Sequence, residues 1–174
     1  MPLTRHHATA FLGLPADHVV EELRRIWDPE MARQIAAHVT LIYPGEIPDP
    51  ARLAASAEHA AALTAPFTIT LGAPFHDGSP ANGVFLHVSD PGDGIGRFRA
   101  AALPASPALA FPPHVTLVHP RTSRRGPQAW AALTGAPVAA VRVAITGIAI
   151  TAHDGDRWPA LRTIPLTGSR PTSS

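Results

Sequence analysis

The chain of 174 residues is 45% hydrophobic and carries a formal net charge of +1 at pH 7. That length buries a real core and leaves room for one or two domains at most. Near neutrality excludes a protein that coats nucleic acid through bulk charge, and the absence of cysteine excludes disulfides, thiolate zinc sites and a cysteine nucleophile.

The opening residues lack the basic start and apolar run of a signal peptide, and no stretch has the apolar length to span a membrane. A cytoplasmic, monomeric protein with no membrane partner is the expectation. Ala8 to Leu14 reads as a first strand closed by Pro15. Asp17 is placed to cap a helix whose Val19, Val20, Leu23, Ile26 and Trp27 form one apolar face, with Pro29 ending it. A strand over Ala36 to Tyr43 follows, closed by Pro44 and Gly45. Asp49 and Pro50 open an alanine-rich helix to Leu63. Phe67 to Gly72 alternates as a half-buried strand, and Pro74 to Gly83 is a turn-rich loop. Val84 to Ser89 is a further strand with Phe85, His87 and Ser89 on one face.

After a loop over Asp90 to Gly94, Ile95 to Leu103 reads as a short helix with Phe98 and Ala102 inward. The proline-rich segment Pro104 to Pro113 leads into a strand that begins at His114. Gly126 and Pro127 open a helix through Leu133. Val138 to Ala152 and Trp158 to Leu166 read as two strands of a hairpin that turns at Gly155. Helices and strands alternate in both halves without a linker. The expectation is an α+β (α/β) fold with two similar lobes, a single domain over 1–166 and a disordered polar tail over 167–174.

One feature of the chain repeats. His38 to Pro44 reads His-Val-Thr-Leu-Ile-Tyr-Pro, and His114 to Pro120 reads His-Val-Thr-Leu-Val-His-Pro. On a strand, side chains at i and i+2 leave from the same face, so His38 with Thr40 and His114 with Thr116 are each an imidazole beside a hydroxyl. An imidazole can take or give a proton near neutral pH, and a hydroxyl can donate to a phosphoryl oxygen. Two such units on opposite sides of a phosphorus suit in-line displacement with no metal and no cofactor.

The paired His-x-Thr elements, 76 positions apart, resemble the signatures of the 2H phosphoesterase superfamily, which includes the RNA 2',3'-cyclic phosphodiesterases also called 2'-5' RNA ligases. The resemblance implies a bilobal protein with a pseudo-twofold axis, mostly antiparallel sheets around a central cleft and helices packed outside. It implies His38 and His114 as the acid/base pair and Thr40 and Thr116 as phosphate ligands. The implied partner is an RNA end or a nucleotide bearing a cyclic or 2'-5' phosphodiester. The first motif follows Ala36 and Ala37, where relatives often carry a proline, as the second does at Pro113.

Secondary candidates surround the motifs. Phe85 and His87 share a strand face that would touch substrate if it lines the cleft, against a packing role. Arg121, Arg124 and Arg125 form a basic cluster after the second motif, read either as contacts to flanking phosphates or as a solvated loop. Unless the strand has ended, alternation sends His119 to the opposite face from the motif histidines as a surface or packing residue, and it counts equally against Tyr43 as a base-stacking platform. Arg5, His6 and His7 beside the first strand are read either as reaching an anion or as disordered or adventitious terminal residues, and His153 with Asp154 as turn chemistry. The ten histidines show no metal-ligand spacing away from the N-terminus. The reading is a metal-independent phosphodiesterase, hydrolytic or ligase in direction; the alternative is an RNA- or nucleotide-binding module of the same fold with little catalysis.

Overall fold

Strand segments that bury alternate side chains, and short helices that each bury one face, pair into two antiparallel four-stranded sheets. The computed structural model of the chain describes residues 5–103, 111–135 and 138–169. In chain order the elements are β1 (His6–Phe11), α1 (Val19–Trp27), α2 (Pro29–Gln34), β2 (His38–Ile42), α3 (Pro50–Leu63), β3 (Phe67–His76), β4 (Val84–Ser89), α4 (Gly94–Ala102), β5 (His114–Val118), α5 (Gly126–Gly135), β6 (Val141–Ile145), β7 (Gly147–Ala152) and β8 (Ala160–Pro165). One sheet runs β2-β1-β7-β8 and the other β5-β4-β3-β6. Each motif therefore lies on an edge strand of its own sheet, in a bilobal α+β fold. No helix among the described residues is long and apolar enough to cross a membrane.

The sequence repeat extends well past the motifs. Thr9 lies opposite Thr40 and Phe11 opposite His38; shifted by the same 76 positions, Phe85 lies opposite Thr116 and His87 opposite His114. Both ladders are interrupted at the same point, between Ala8 and Thr9 and between Val84 and Phe85. The halves also exchange strands. β3 leaves the first half to pair with β4, and β7 leaves the second half to pair with β1. Neither lobe is complete without a strand from the other half.

Within the motif strands, Val39, Leu41, Val115 and Leu117 are fully buried, which turns the histidines and threonines to the opposite face. α3 buries Leu53, Ala57, Ala60 and Ala61 along one stripe, and Asp49 caps it by accepting from the Arg52 amide at 2.6 Å.

Several boundaries differ from the sequence reading. β1 begins at His6 and ends at Phe11, ahead of the Ala8 to Leu14 expectation. His18, not Asp17, caps α1 through Nδ1, because the His18 amide first closes a turn onto the Pro15 carbonyl. The apolar face of α1 is not continuous: Val19 and Ile26 are exposed, and Val20 and Arg24 are the buried positions. α1 ends just before Pro29, as expected, but Pro29 is also the first residue of a further helix, α2, whose cap is Asp28, accepting from the Met31 amide at 3.0 Å. β3 continues through Pro74 to His76, in the stretch read as loop. Val138 to Ala152 is not one strand. It divides at Thr146, with β6 pairing to β3 in one sheet and β7 to β1 in the other. Gly147 sits at that crossing, where a Cβ would lie 3.0 Å from the Ile164 carbonyl oxygen. The β7–β8 hairpin is present, and Gly155 adopts φ +106° in its connection. Thr167 and Gly168, placed in the tail by the sequence, donate to the Ala61 and Thr64 carbonyls of α3 and its cap. Residues 170–174, and 104–110 of the proline-rich segment, lie outside the described residues.

Two arginines cross between the halves. Arg24, only 1% exposed, donates through Nε to the Thr116 carbonyl of β5 at 3.2 Å, through Nη2 to the Ile35 carbonyl at 2.6 Å, and through Nη1 to Glu21 at 2.8 Å. Arg99 on α4 donates to the Leu41 carbonyl of β2 at 2.6 Å and makes a two-pronged pair with Glu46. Each guanidinium is the sixth residue of its helix and grips the motif strand of the other half. A buried cation is tolerated when its donors are satisfied, and truncating it strands the partner carboxylate and carbonyls. Arg24→Met is expected to lower the unfolding free energy by about 3 kcal/mol, read as a lower urea midpoint at unchanged m. A midpoint equal to that of the parent protein would reject the cross-brace.

Candidate active site

The motif strands lie side by side at the junction of the sheets, and their polar faces open on one cleft of about 250 Å³ lined by His38, Thr40, His114 and Thr116. The two imidazoles are held identically. His38 Nδ1 is 2.8 Å from the carbonyl oxygen of Ala36, and His114 Nδ1 is 2.9 Å from that of Pro112. A carbonyl only accepts, so in each ring the proton sits on Nδ1 and Nε2 is left to exchange a proton with a ligand. The absence of a proline before the first motif does not alter this geometry. Ala37 uses the amide that a proline lacks, donating to Glu21 at 2.7 Å, while its carbonyl accepts from Leu12 just as the Pro113 carbonyl accepts from Val88.

Burial sets the electrostatics. Desolvation, opposed by the Ala36 bond and reinforced by Arg24 and His114, pushes the His38 pKa down to about 4. Desolvation also lowers His114, again opposed by its carbonyl bond. Both rings are therefore largely neutral near pH 7.

Of the secondary candidates, Arg121 lines the cleft and the others do not. Arg125 lies over the Trp27 ring at 4.9 Å and donates to the Ile26 carbonyl, so it holds the end of α1. Arg124 is exposed away from the cleft lining. Phe85 is buried against His114, ring centroids 4.8 Å apart, and His87 is exposed and stacked on Phe75 at 4.1 Å. Neither belongs to the lining; both lie on β4, paired with β5.

Other groups enter that the sequence reading set aside. β5 ends at Val118, so alternation does not carry to His119; its amide donates to the Asp28 carboxylate at 2.8 Å and its ring faces the cleft. His119 Nδ1 accepts from the Arg121 amide at 3.1 Å, which in the neutral ring puts the proton on Nε2. Burial lowers its pKa, with Arg121 acting in the same direction and Asp28 against. Tyr43, at the same motif position in the first half, also lines the cleft, and burial raises its pKa. Arg5, His7 and Trp158 complete the wall beside His38, with Met31, Gln34 and Ile35 from α2 and its cap. The signals for these were present but weak: a second Asp-Pro pair at Asp28 and Pro29, and a lone tryptophan after a turn. His153 and Asp154 belong to the turn as expected, Asp154 accepting from the Asp156 and Arg157 amides.

Solved structures share the fold. TT0787 of Thermus thermophilus is 21% identical and superposes with a TM-score of 0.59, covering 95% of this chain and 99% of that one. E. coli LigT in its apo form is 20% identical with a TM-score of 0.58, covering 94% and 98%. LigT has also been crystallised with 3'-AMP, in a structure 21% identical to this chain with a TM-score of 0.57 over 94% and 98%. No curated protein sequence matches the chain. The family model described as the 2'-5' RNA ligase superfamily matches residues 13–157, a span holding both His-x-Thr strands, and the chain belongs to that superfamily of 2H phosphoesterases.

Proposed function

We propose that the cleft cleaves a cyclic or 2'-5' phosphodiester, at an RNA end or on a nucleotide, by acid/base catalysis between His38 and His114. The observation that carries this reading is the matched restraint of the two imidazoles, each with Nδ1 tied to the carbonyl two residues back. Restraint of that kind orients a ring and fixes its tautomer, which a proton-transfer group needs and a packing histidine does not. One Nε2 accepts a proton from the attacking water or hydroxyl while the other ring, protonated, delivers one to the leaving oxygen. Thr40 and Thr116 donate to the non-bridging oxygens, where charge accumulates.

The lining supports an anionic substrate. It includes two arginines and four histidines, and no carboxylate among its described residues. At about 250 Å³ the cleft is slightly below the ~300 Å³ lower end of small-molecule sites, which suits a terminal nucleotide better than a run of them. The structures of LigT with 3'-AMP and with ATP agree with a nucleotide ligand.

Hydrolysis of a nucleoside 2',3'-cyclic phosphate in EDTA tests this directly. The intact protein should turn over, and His38→Ala and His114→Ala should each lose about 10²–10⁴ in kcat. Binding without turnover on cyclic, 2'-5' dinucleotide and ADP-ribose cyclic phosphate substrates would instead make the protein a nucleotide-binding module. Arg121→Ala should weaken a 2'-5' oligonucleotide by about fivefold to tenfold while barely affecting the mononucleotide, as expected of one exposed charge-assisted contact of ~1 kcal/mol. Arg124→Ala should change neither; an effect there equal to that of Arg121 would mean that the cluster acts only through diffuse charge.

A further inference from the structure

The 76-residue correspondence predicts equivalent neighbours for the two catalytic histidines; Phe11 against His87 and Thr9 against Phe85 depart from it, and His7 departs furthest. Continuing the register from Ala8 and Val84, His7 corresponds to Gly83. His7 is 5% exposed, and its ring stacks on Trp158 at 4.5 Å and 14° and on His38 at 5.7 Å and 24°. Its Nε2 is buried without a hydrogen-bond partner. At Gly83 there is no room for such a ring, since a Cβ would lie 2.6 Å from Phe85. Phe85 takes the space instead and, with Phe111 and Phe75, surrounds His114 at centroid distances of 4.8, 5.0 and 6.3 Å.

We infer that His7 is the positioning residue that makes the two catalytic histidines unequal: as a neutral, stacked cap over His38 it keeps that ring unprotonated, so His38 accepts the proton and His114 delivers one. The inequality stands on the packing alone, whereas the division of roles rests on the hydrolytic reading above. In that division the water oxygen bonds to phosphorus and gives its proton to His38 Nε2. The bond from phosphorus to the leaving oxygen breaks, and that oxygen takes the proton of His114 Nε2.

The surroundings of each ring favour this direction. His38 faces His7 from β1, Arg24 and Glu21 from α1, and His114 from β5; Trp158 and Arg5 stand behind His7. Glu21, the one carboxylate in that set, already accepts from Arg24 and from the Ala37 amide. A proton on His38 would thus meet a buried cation and an imidazole that resists protonation. Burial, with His38 and Arg5 reinforcing it, holds the His7 pKa down at about 3. His114 packs against phenyl rings, which tolerate or attract an imidazolium; the titratable groups around it are imidazoles, His38 from β2, His87 on β4 and His119 beyond the end of its own strand.

NMR titration of the imidazole Cε1–H signals in the full chain, assigned with His38→Gln and His114→Gln, tests the inequality without any substrate. His38 should titrate below His114. In His7→Ala, where water reaches the ring, the His38 midpoint should rise by about one pH unit or more towards the ordinary ~6.5, with His114 unmoved. His7→Phe keeps a stacked ring and should keep His38 low, and Trp158→Ala should move it in the same direction as His7→Ala. Equal midpoints in the parent protein, or a shift of His114 in place of His38, would overturn the inference. In pH–rate profiles on a nucleoside 2',3'-cyclic phosphate, the rate rises as the base loses its proton, so His7→Ala should move the acid limb to higher pH and leave the basic limb in place. The lower midpoint sets the acid limb whichever ring is the base, so the plateau rate decides the roles: it stays unchanged in His7→Ala if His38 accepts the proton, and a plateau raised in proportion to the His38 midpoint would reverse the roles. No turnover with unequal titrations would sink the phosphodiesterase reading and leave the inequality standing.

Discussion

A site assembled from two lobes works only if the lobes keep their spacing, and here that spacing depends on two buried guanidiniums. Arg24 and Arg99 sit at matching places on matching helices and each donates to a backbone carbonyl of the other half's motif strand. An edge strand has unpaired carbonyls on its outer side, and a long fork of donors satisfies them where an apolar side chain would leave them orphaned. Replacing such a cation by a well-packed apolar residue can be neutral in many proteins. At this position the carbonyls of Thr116 and Ile35 would remain, so the arginine specifies geometry as well as contributing energy.

The strand exchange has the same consequence at a larger scale. Because β3 completes one sheet and β7 the other, the two halves of the sequence cannot separate without breaking ladder hydrogen bonds. The backbone pattern around each histidine is reproduced down to the extra residue at Leu41 in β2 and Leu117 in β5 and the carbonyl contact at Nδ1. Duplication thus delivers two imidazoles in the same tautomer, facing one cleft. Chemically this is only half of a catalyst, since two groups of equal proton affinity compete for one proton where an acid and a base must each hold its own state.

How much of this was legible follows from where each decision is made. The motif strands, β4 and α3 were readable because local periodicity and an Asp-Pro start agree with the tertiary outcome. The same Asp-Pro signal at Asp28 and Pro29 was read as a stop, because it ends α1 before it opens the six-residue α2. That miss hid more than a helix. The Asp28 carboxylate that caps α2 also receives the His119 amide and the Thr122 hydroxyl, and so turns the chain after β5 and brings His119 into the cleft. The division of Val138 to Ala152 between two sheets is a tertiary choice, since every residue there except Gly147 suits a continuous strand. His7 was read as an incidental terminal residue because its partner, Trp158, comes from the far end of the chain.

The departures from symmetry are concentrated around the ligands of the proton. Two corresponding positions in β1 and β4, Ala8 with Val84 and Ala10 with Leu86, differ only in size, and all four of these residues are buried in the core. Where the chain passes the motif histidines the exchanges change chemistry: Thr9 against Phe85, His7 against Gly83, Tyr43 against His119. Thr9 spends its hydroxyl on the Val39 carbonyl and leaves space that the His7 ring can occupy, whereas Phe85 fills the equivalent space and excludes any ring at 83. The two substitutions are therefore one packing solution, in which a large residue at either position requires a small one at the other. A duplicated framework fixes where the two histidines stand, and this one reciprocal exchange of volume makes their environments differ.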